Sequence, residues 1–255
     1  MIFDTHAHYT SRRFDGHRDE VLDSLPAQGV CGVVECGVDL ATSRAALALA
    51  ETRPWVWAAA GVHPESLIED DASTVYEFHG DWRAELAAIE PLYGDPRVVA
   101  VGECGLDHHW PVPEDAQLAL FEAELAAAQG TACPFLCMTA KPMPNLRAFE
   151  KVPAQGHSHI FRQRRRRAVD RPAGHAAGLR GALHLKMRAA WSVAASAWKI
   201  SCWKRTAPTW RRNRSGKECH SGMIRFTAQK VADIKQVPLE EVLRITEQNA
   251  RALGV

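Results

Sequence analysis

Acidic residues are almost absent from one long stretch of this sequence. Residues 131–215 contain 18 Lys and Arg but only 2 acids, Glu150 and Asp170. The whole chain has 31 Lys and Arg and 30 Asp and Glu, so the rest of it keeps 13 basic and 28 acidic residues. The formal net charge of +1 therefore conceals a segment near +16 within a frame near −15. We call residues 131–215 the basic segment.

Other absences exclude whole classes of protein. The sequence has no run of about 18 apolar residues, which excludes a helical membrane span. The N-terminal residues Met1–His6 lack the basic start and apolar stretch of a secretion signal. The 7 cysteines form no CxxC pair, which argues against a disulfide framework. We therefore expect reduced cysteines and a cytoplasmic protein without a membrane partner.

Apolar runs alternate with helix-like stretches outside the basic segment. Near-continuous apolar strands separated by helices predict a parallel sheet covered on both faces. A length of 255 residues is typical of a TIM-type (β/α)8 barrel, so we expect an α/β fold with a single domain over residues 1–255. A doubly wound sheet is the alternative, but no Gly-rich phosphate loop follows the first strand. The predicted strands are 1–6, 30–36, 56–62 and 97–102, and the predicted helices are 18–25, 40–52, 82–92, 115–129, 226–235 and 238–253.

Polar side chains stand where three of the predicted strands end. His6 and His8 are two apart on a strand, so both imidazoles can reach one divalent ion. His63 follows the third strand and Glu103 the fourth. Taken singly, His6 and His8 could be a pair on the surface. His63 could be a turn residue before Pro64, and Glu103 could be an ion-paired acid. The carboxyl ends of barrel strands converge on one face, so together they indicate a metal site.

These motifs resemble those of the TatD family of metal-dependent hydrolases, whose members are deoxyribonucleases. The resemblance lies in Phe3–His8, Gly61–Pro64 and Gly102–Asp107, and again in Ser221–Arg225 and Thr246–Ala250. It covers residues 1 to about 130 and 216 to about 253. A local departure is the pair His108-His109, where an aromatic residue commonly follows the aspartate.

The resemblance implies two divalent ions, Mg, Zn or Mn, on a TIM-type barrel. His6 and His8 would hold one ion, Glu103 would bridge both, and His63 would contact the phosphate. An ion-activated water would then attack a phosphodiester in DNA or a related substrate, with Glu103 and His63 as the catalytic residues. The family completes this site with two histidines, after the fifth and sixth strands, and an aspartate after the seventh. All three positions fall inside the basic segment.

The basic segment shows none of these three motifs as it is written, but it can be decoded in other reading frames. Codons for a family-like Glu-Thr-Asp stretch, read one base later, give Trp203 through Ser215. Codons for Val-His-Asp-Arg, shifted likewise, give Cys133 to Pro144, and a shifted Phe-Ser-Gly-Ser gives Phe161 to Arg164. The missing ligands would be hidden near Met138, Ser158 and Thr206. The pattern predicts a frame-shifted segment.

An inserted basic module that binds nucleic acid is the competing interpretation. Cations interleaved with aromatics, as in residues 203–214, suit backbone contacts and base stacking. An insertion would lengthen the chain, however, whereas the basic segment occupies the length that the missing strands should fill. Under the frame-shift interpretation the fifth to seventh strands should be absent and the barrel disrupted. We then expect a poorly folded and inactive chain.

Overall fold

The computed structural model describes residues 1–68, 80–107, 111–131 and 219–251, together with the backbone of four strands at 135–140, 157–161, 177–179 and 201–203. The chain divides into two compact units. One comprises residues 1–35 and 177–255, and the other residues 36–176. The single-domain organisation stays a prediction.

Strands and helices alternate, as an α/β fold requires. The strands are β1 (Ile2–Ala7), β2 (Val30–Cys36), β3 (Val56–Ala60), β4 (Val98–Asp107), β5 (Phe135–Ala140), β6 (His157–Phe161), β7 (Ala177–Leu179) and β8 (Ser201–Trp203). The helices are α1 (Arg18–Ser24), α2 (Leu40–Thr52), α3 (Trp82–Ile89), α4 (Glu114–Thr131), α5 (Ile224–Lys235) and α6 (Leu239–Arg251). Among the helices that the structure describes, none has both the length and the apolar character needed to cross a membrane.

The first unit is built around β1, all six residues of which are buried. This strand pairs in parallel with β2 on one side and with β8 on the other, and β8 pairs in parallel with β7. In the β1–β2 register Ile2 lies beside Val30 and Ala7 beside Glu35. Helix α6 packs on β1 and β8, and α5 packs on α6. The register places Glu35 at the level where the polar end of β1 begins.

The second unit carries the parallel order β3-β4-β5-β6. Its apolar core contains the small residues Ala58 and Ala60 of β3 and the larger, fully buried Leu120 and Phe121 of α4, a helix that packs on β4. Small residues on a strand allow a helix to approach closely, and the burial of apolar side chains stabilises the layer. This packing of α4 over the strands fixes the ends of β3 and β4.

The predicted strand at 30–36 and the predicted helix at 40–52 agree with the structure at both ends. Helix α3, by contrast, ends at Ile89, short of the predicted residue 92, because Pro91 has no backbone N–H to continue the helical hydrogen bonds, and Glu90–Gly94 forms a 3-10 helix. Strand β4 continues to Asp107, beyond the predicted residue 102, because Cys104–Asp107 pairs with β5.

The expectation that the fifth to seventh strands would be absent was wrong for the backbone. Strands β5, β6, β7 and β8 all lie in it, with lengths of 6, 5, 3 and 3 residues. The run Phe135–Ala140 is apolar apart from one threonine, a composition that a strand accepts in any reading frame. The remainder of the segment lies outside the described residues.

Candidate metal centre

The two histidines of the first motif lie at the carboxyl end of β1. His6 is fully buried within the strand, and His8 follows its last residue and is half-buried. Their Nε2 atoms are 3.0 Å apart, and the rings meet edge to face at 77°. Two imidazole nitrogens that converge in this way can be spanned by one cation if both are unprotonated. The pair offers two of the nitrogen atoms that a divalent ion would need.

A buried hydrogen-bond network fixes the strand that carries His6. The Asp4 carboxylate accepts the backbone N–H of His6 at 3.2 Å and the Ser221 hydroxyl at 2.7 Å. The Ser221 N–H donates to the Tyr9 hydroxyl oxygen at 2.8 Å, and the two hydroxyl oxygens are 2.6 Å apart. Through these hydrogen bonds, Ser221 connects the C-terminal part of the chain to β1.

The second unit contributes a buried histidine between two carboxylates. The Glu65 N–H donates to Nδ1 of His63 at 3.2 Å, and a Glu65 carboxylate oxygen lies 3.7 Å from the same nitrogen. On the other side, Nε2 of His63 lies 3.9 Å from an Asp107 carboxylate oxygen. All three side chains are buried. Because Nδ1 accepts a hydrogen bond, the proton of a neutral imidazole resides on Nε2.

Glu103 lies within β4 and is 2% exposed. Its backbone N–H donates to the Gly37 carbonyl at 2.9 Å, which holds this part of β4 in place. A buried carboxylate is costly unless hydrogen bonds or a cation compensate for its charge. The position therefore suits an acid that serves a cation.

Sequence reasoning missed two buried polar residues of α4 that support this unit. Gln117 accepts the Asp107 N–H at 2.8 Å and donates to the Asp107 carbonyl at 3.3 Å. Glu124 accepts the Val62 N–H at 2.8 Å, directly before His63. The two residues are seven apart and share one helix face. The sequence could have indicated both residues, because they are polar positions on the apolar face of a helix that the sequence predicted well.

The strands of the basic segment include two of the three positions at which missing ligands were expected. Residue 138 is on β5 beside Gly105, and residue 158 is on β6 beside Cys137. The third position, Thr206, lies outside the described residues. His159, also on β6, was missed. His159-Ile160-Phe161 matches the first half of the His-x-Phe-Ser-Gly-Ser motif, and that match could have found it.

The described residues thus include two imidazoles at the end of β1 in the first unit, those of His6 and His8, and a buried carboxylate on β4 in the second unit, that of Glu103. Two imidazoles and a carboxylate are ligands that zinc, manganese and related divalent ions accept. A parallel α/β fold with ligands of these types at its strand ends is typical of metal-dependent hydrolases on TIM-type barrels.

Comparison with known proteins narrows this class to one family. The model of the TatD family, described as TatD related DNase, matches residues 3–253, and the chain belongs to this family. The chain is 26% identical to an uncharacterized metal-dependent hydrolase, YabD of Bacillus subtilis, over 99% of the chain and 98% of that protein. It is 36% identical to the 3'-5' ssDNA/RNA exonuclease TatD of Musicola paradisiaca over 136 residues. This match covers 52% of the chain and 47% of the exonuclease.

A solved structure supports the fold class. YJJV, a TatD homologue from Escherichia coli, superposes with a TM-score of 0.81 at 20% identity, over 99% of this chain and 97% of that one. The predicted α/β fold of the TIM-type hydrolase kind is confirmed by this likeness. The family is metal-dependent, which confirms the expected dependence on metal ions.

Proposed function

We propose that this chain is a metal-dependent phosphodiesterase of the TatD type that cleaves DNA or a related nucleic acid. The observation that carries the proposal is the pair of imidazoles of His6 and His8, whose Nε2 atoms lie 3.0 Å apart, in a chain of this family. Relatives named 3'-5' ssDNA/RNA exonucleases support nucleic acid as the substrate. We place the protein in the cytoplasm, where its 7 cysteines, none of them in a CxxC pair, would stay reduced.

The ligand types fit two divalent ions with shared coordination. In our proposal His6 and His8 hold one ion and Glu103 lies between both. When bound, the ions supply a water of lowered pKa as the attacking group, and they stabilise the charge on the phosphate. The protein contributes the fixed strand ends. The buried network of Asp4 and Ser221 holds the backbone of His6, so little reorganisation is needed on binding.

His63 is the proposed phosphate contact. Its Nδ1 accepts the Glu65 N–H, so its Nε2 proton is the one that can be donated to a substrate oxygen. A positioned donor of this kind stabilises charge that grows on the phosphate oxygens during the reaction. The proposed role is donation of a hydrogen bond, with no transfer of the proton.

The role of His63 can be tested with two amides of different reach. In a chain whose basic segment is read in the family-like frames, His63→Asn should lower kcat by about 100-fold, the usual cost of one lost donor. His63→Gln should recover part of that loss, because its amide nitrogen lies near the position of Nε2. Zn²⁺ affinity should stay within a few-fold in both variants. Equal rates for the two variants, or a parallel loss of Zn²⁺ affinity, would contradict a donor at Nε2.

We also propose that activity of the chain as it stands is impaired by a frame shift over the basic segment. The local charge of 18 bases against 2 acids supports this, as does the absence of three ligand motifs from the written frame. The match to the TatD exonuclease of Musicola paradisiaca covers about half of the chain, as expected if part of the remainder is mistranslated. His159, on β6, is the proposed sixth-strand histidine that the shift left in frame.

Sequencing of the coding DNA distinguishes the frame shift from the alternative function. Family motifs in the other frames, joined by small insertions or deletions across codons 131–215, would support the frame shift. An uninterrupted, codon-biased frame would favour a nucleic-acid-binding protein that uses the basic segment. The charge of that segment is the specific observation behind this alternative.

A direct assay tests the hydrolase itself. A 3'-labelled single-stranded oligonucleotide is incubated with the frame-restored chain and Mg²⁺, Mn²⁺ or Zn²⁺ in turn. Cleavage should require one of these ions and should stop when EDTA is added. Cleavage that continues in EDTA, or no cleavage with any of the three ions by a folded chain, would overturn the proposed function.

A further inference from the structure

Side chains from two other elements hold the turn that follows His8. The Tyr9 N–H donates to one oxygen of the Glu35 carboxylate at 2.8 Å. The Thr10 N–H and hydroxyl donate to the other oxygen at 2.7 and 2.8 Å. A single carboxylate thus accepts three hydrogen bonds from two consecutive residues, which is the strong, charge-assisted type of contact.

The carbonyl groups of the same two residues are held by a base. Nε of Arg18 donates to the Tyr9 carbonyl at 2.6 Å, and Nη2 of Arg18 donates to the Thr10 carbonyl at 3.2 Å. Backbone donors therefore bind an acid from β2, and backbone acceptors bind a base from α1. We call Glu35 and Arg18 the clamp. It immobilises the two residues directly after His8 in a turn that has no regular strand pairing of its own.

The place of Glu35 in the sheet indicates that it serves this turn. It is fully buried on β2, where its neighbours Val33 and Val34 are apolar core residues. The register sets it beside Ala7, which lies between His6 and His8 in the sequence. A buried carboxylate at this position costs free energy that an apolar residue would avoid, and its three hydrogen bonds offset that cost. Packing of the strand alone gives no reason for an acid here.

We propose that Glu35 is a positioning residue for His8, which acts by fixing the turn through which the imidazole is aimed. The inference rests on the proposed function, since it takes His8 as a metal ligand. His8 lies beyond the last residue of β1, so the strand alone does not determine its direction. Groups that orient metal ligands typically influence metal affinity by about 10-fold to 100-fold when they are removed.

Zn²⁺ binding to the full chain tests this role. Isothermal titration calorimetry with Zn²⁺ alone should show that Glu35→Ala weakens affinity by about 10-fold or more. The matched control is Glu85→Ala on α3. Glu85 is also a buried acid that accepts a backbone N–H, from Leu40 at 2.9 Å, but it lies far along the chain from the clamp. The control should leave Zn²⁺ affinity within twofold of the original chain.

A spectroscopic signature separates positioning from general stability. Co²⁺ in place of Zn²⁺ gives visible bands that report ligand geometry, and these bands should shift in Glu35→Ala but not in Glu85→Ala. If circular dichroism shows that Glu35→Ala does not fold, Arg18→Ala replaces it. Its control is Arg97→Ala, which likewise removes an arginine that donates to backbone carbonyls, those of Pro54 and Val56. Arg18→Ala should weaken Zn²⁺ binding several-fold more than its control does.

The outcomes are distinct. If the original chain binds Zn²⁺ and Glu35→Ala matches Glu85→Ala in affinity and spectrum, the clamp has no positioning role and the proposed function survives. The same reading applies to the two arginine variants. If neither the original chain nor the chain with residues 131–215 read in the family-like frames shows Zn²⁺ affinity, the metal site fails, and the clamp proposal fails with it.

Discussion

A chain in which residues 131–215 are read in the family-like frames is expected to cleave single-stranded DNA on the order of 10⁴ times faster than the chain as it stands, the scale seen when a catalytic group is lost. The physical reason is the ligand set. In the written frame the candidate ligands are His6, His8, Glu103 and the proposed sixth-strand His159, too few to hold two ions with defined geometry. The restored frames would add histidine on the fifth strand and aspartate after the seventh.

The measurement is the initial rate of oligonucleotide cleavage in Mn²⁺, compared between the two chains at equal concentration. A third chain separates the restored fold from the restored ligands. It carries the restored frames with alanine at each restored ligand position, and it should fold like the restored chain but cleave like the original. An original chain that is soluble, folded and as active as the restored one would refute the proposed impairment.

Replacement of His6 by alanine is expected to weaken Zn²⁺ binding by about 100-fold or more, beyond the loss typical of an outer-shell group. His6 is fully buried, and its Nε2 lies 3.0 Å from that of His8, so neighbouring side chains cannot replace the lost nitrogen. Calorimetric titration with Zn²⁺ measures the change, and circular dichroism establishes that the variant is folded.

The same variant discriminates between the two candidate functions. A nucleic-acid-binding protein that relies on the basic segment should keep its affinity for an oligonucleotide in His6→Ala, with a steep dependence on salt. The control is His17→Ala, because His17 lies in the same unit and its Nδ1 is 3.3 Å from the Asp15 carbonyl oxygen on the surface. Loss of Zn²⁺ binding in both variants would show that the effect is not specific to the metal centre.

Much of the fold was predictable because its signals are local. Helix α2 was predicted at both ends because its apolar spacing is regular and Asp39 provides a capping side chain, bonded to the Thr42 N–H at 2.6 Å. Strand β2 was predicted because a run of apolar residues lies between turns. The extension of β4 to Asp107 was not predictable in this way, since it depends on pairing with a strand far along the chain.

Of the proposed site, only the candidate residues could be predicted from the sequence. His6, His8, His63 and Glu103 are visible as polar residues at strand ends. The groups that hold them are not, because Glu35 and Glu124 act through contacts with residues 25 and 62 positions away. A single sequence does not show which groups contact a buried acid on a strand. The register of the strands in the folded chain does show them.

The composition of the core of residues 36–176 has a consequence for the order of events during synthesis. The cluster that α4 completes draws its buried members from Ala46 to Ala128, all translated before residue 131. Domains and their parts fold from the N-terminal side as the chain emerges. This layer can therefore close before the ribosome reaches the basic segment. Under the proposed frame shift, a nascent chain would fold this layer first and fail only in the strands that follow, so degradation should begin from a partly folded intermediate.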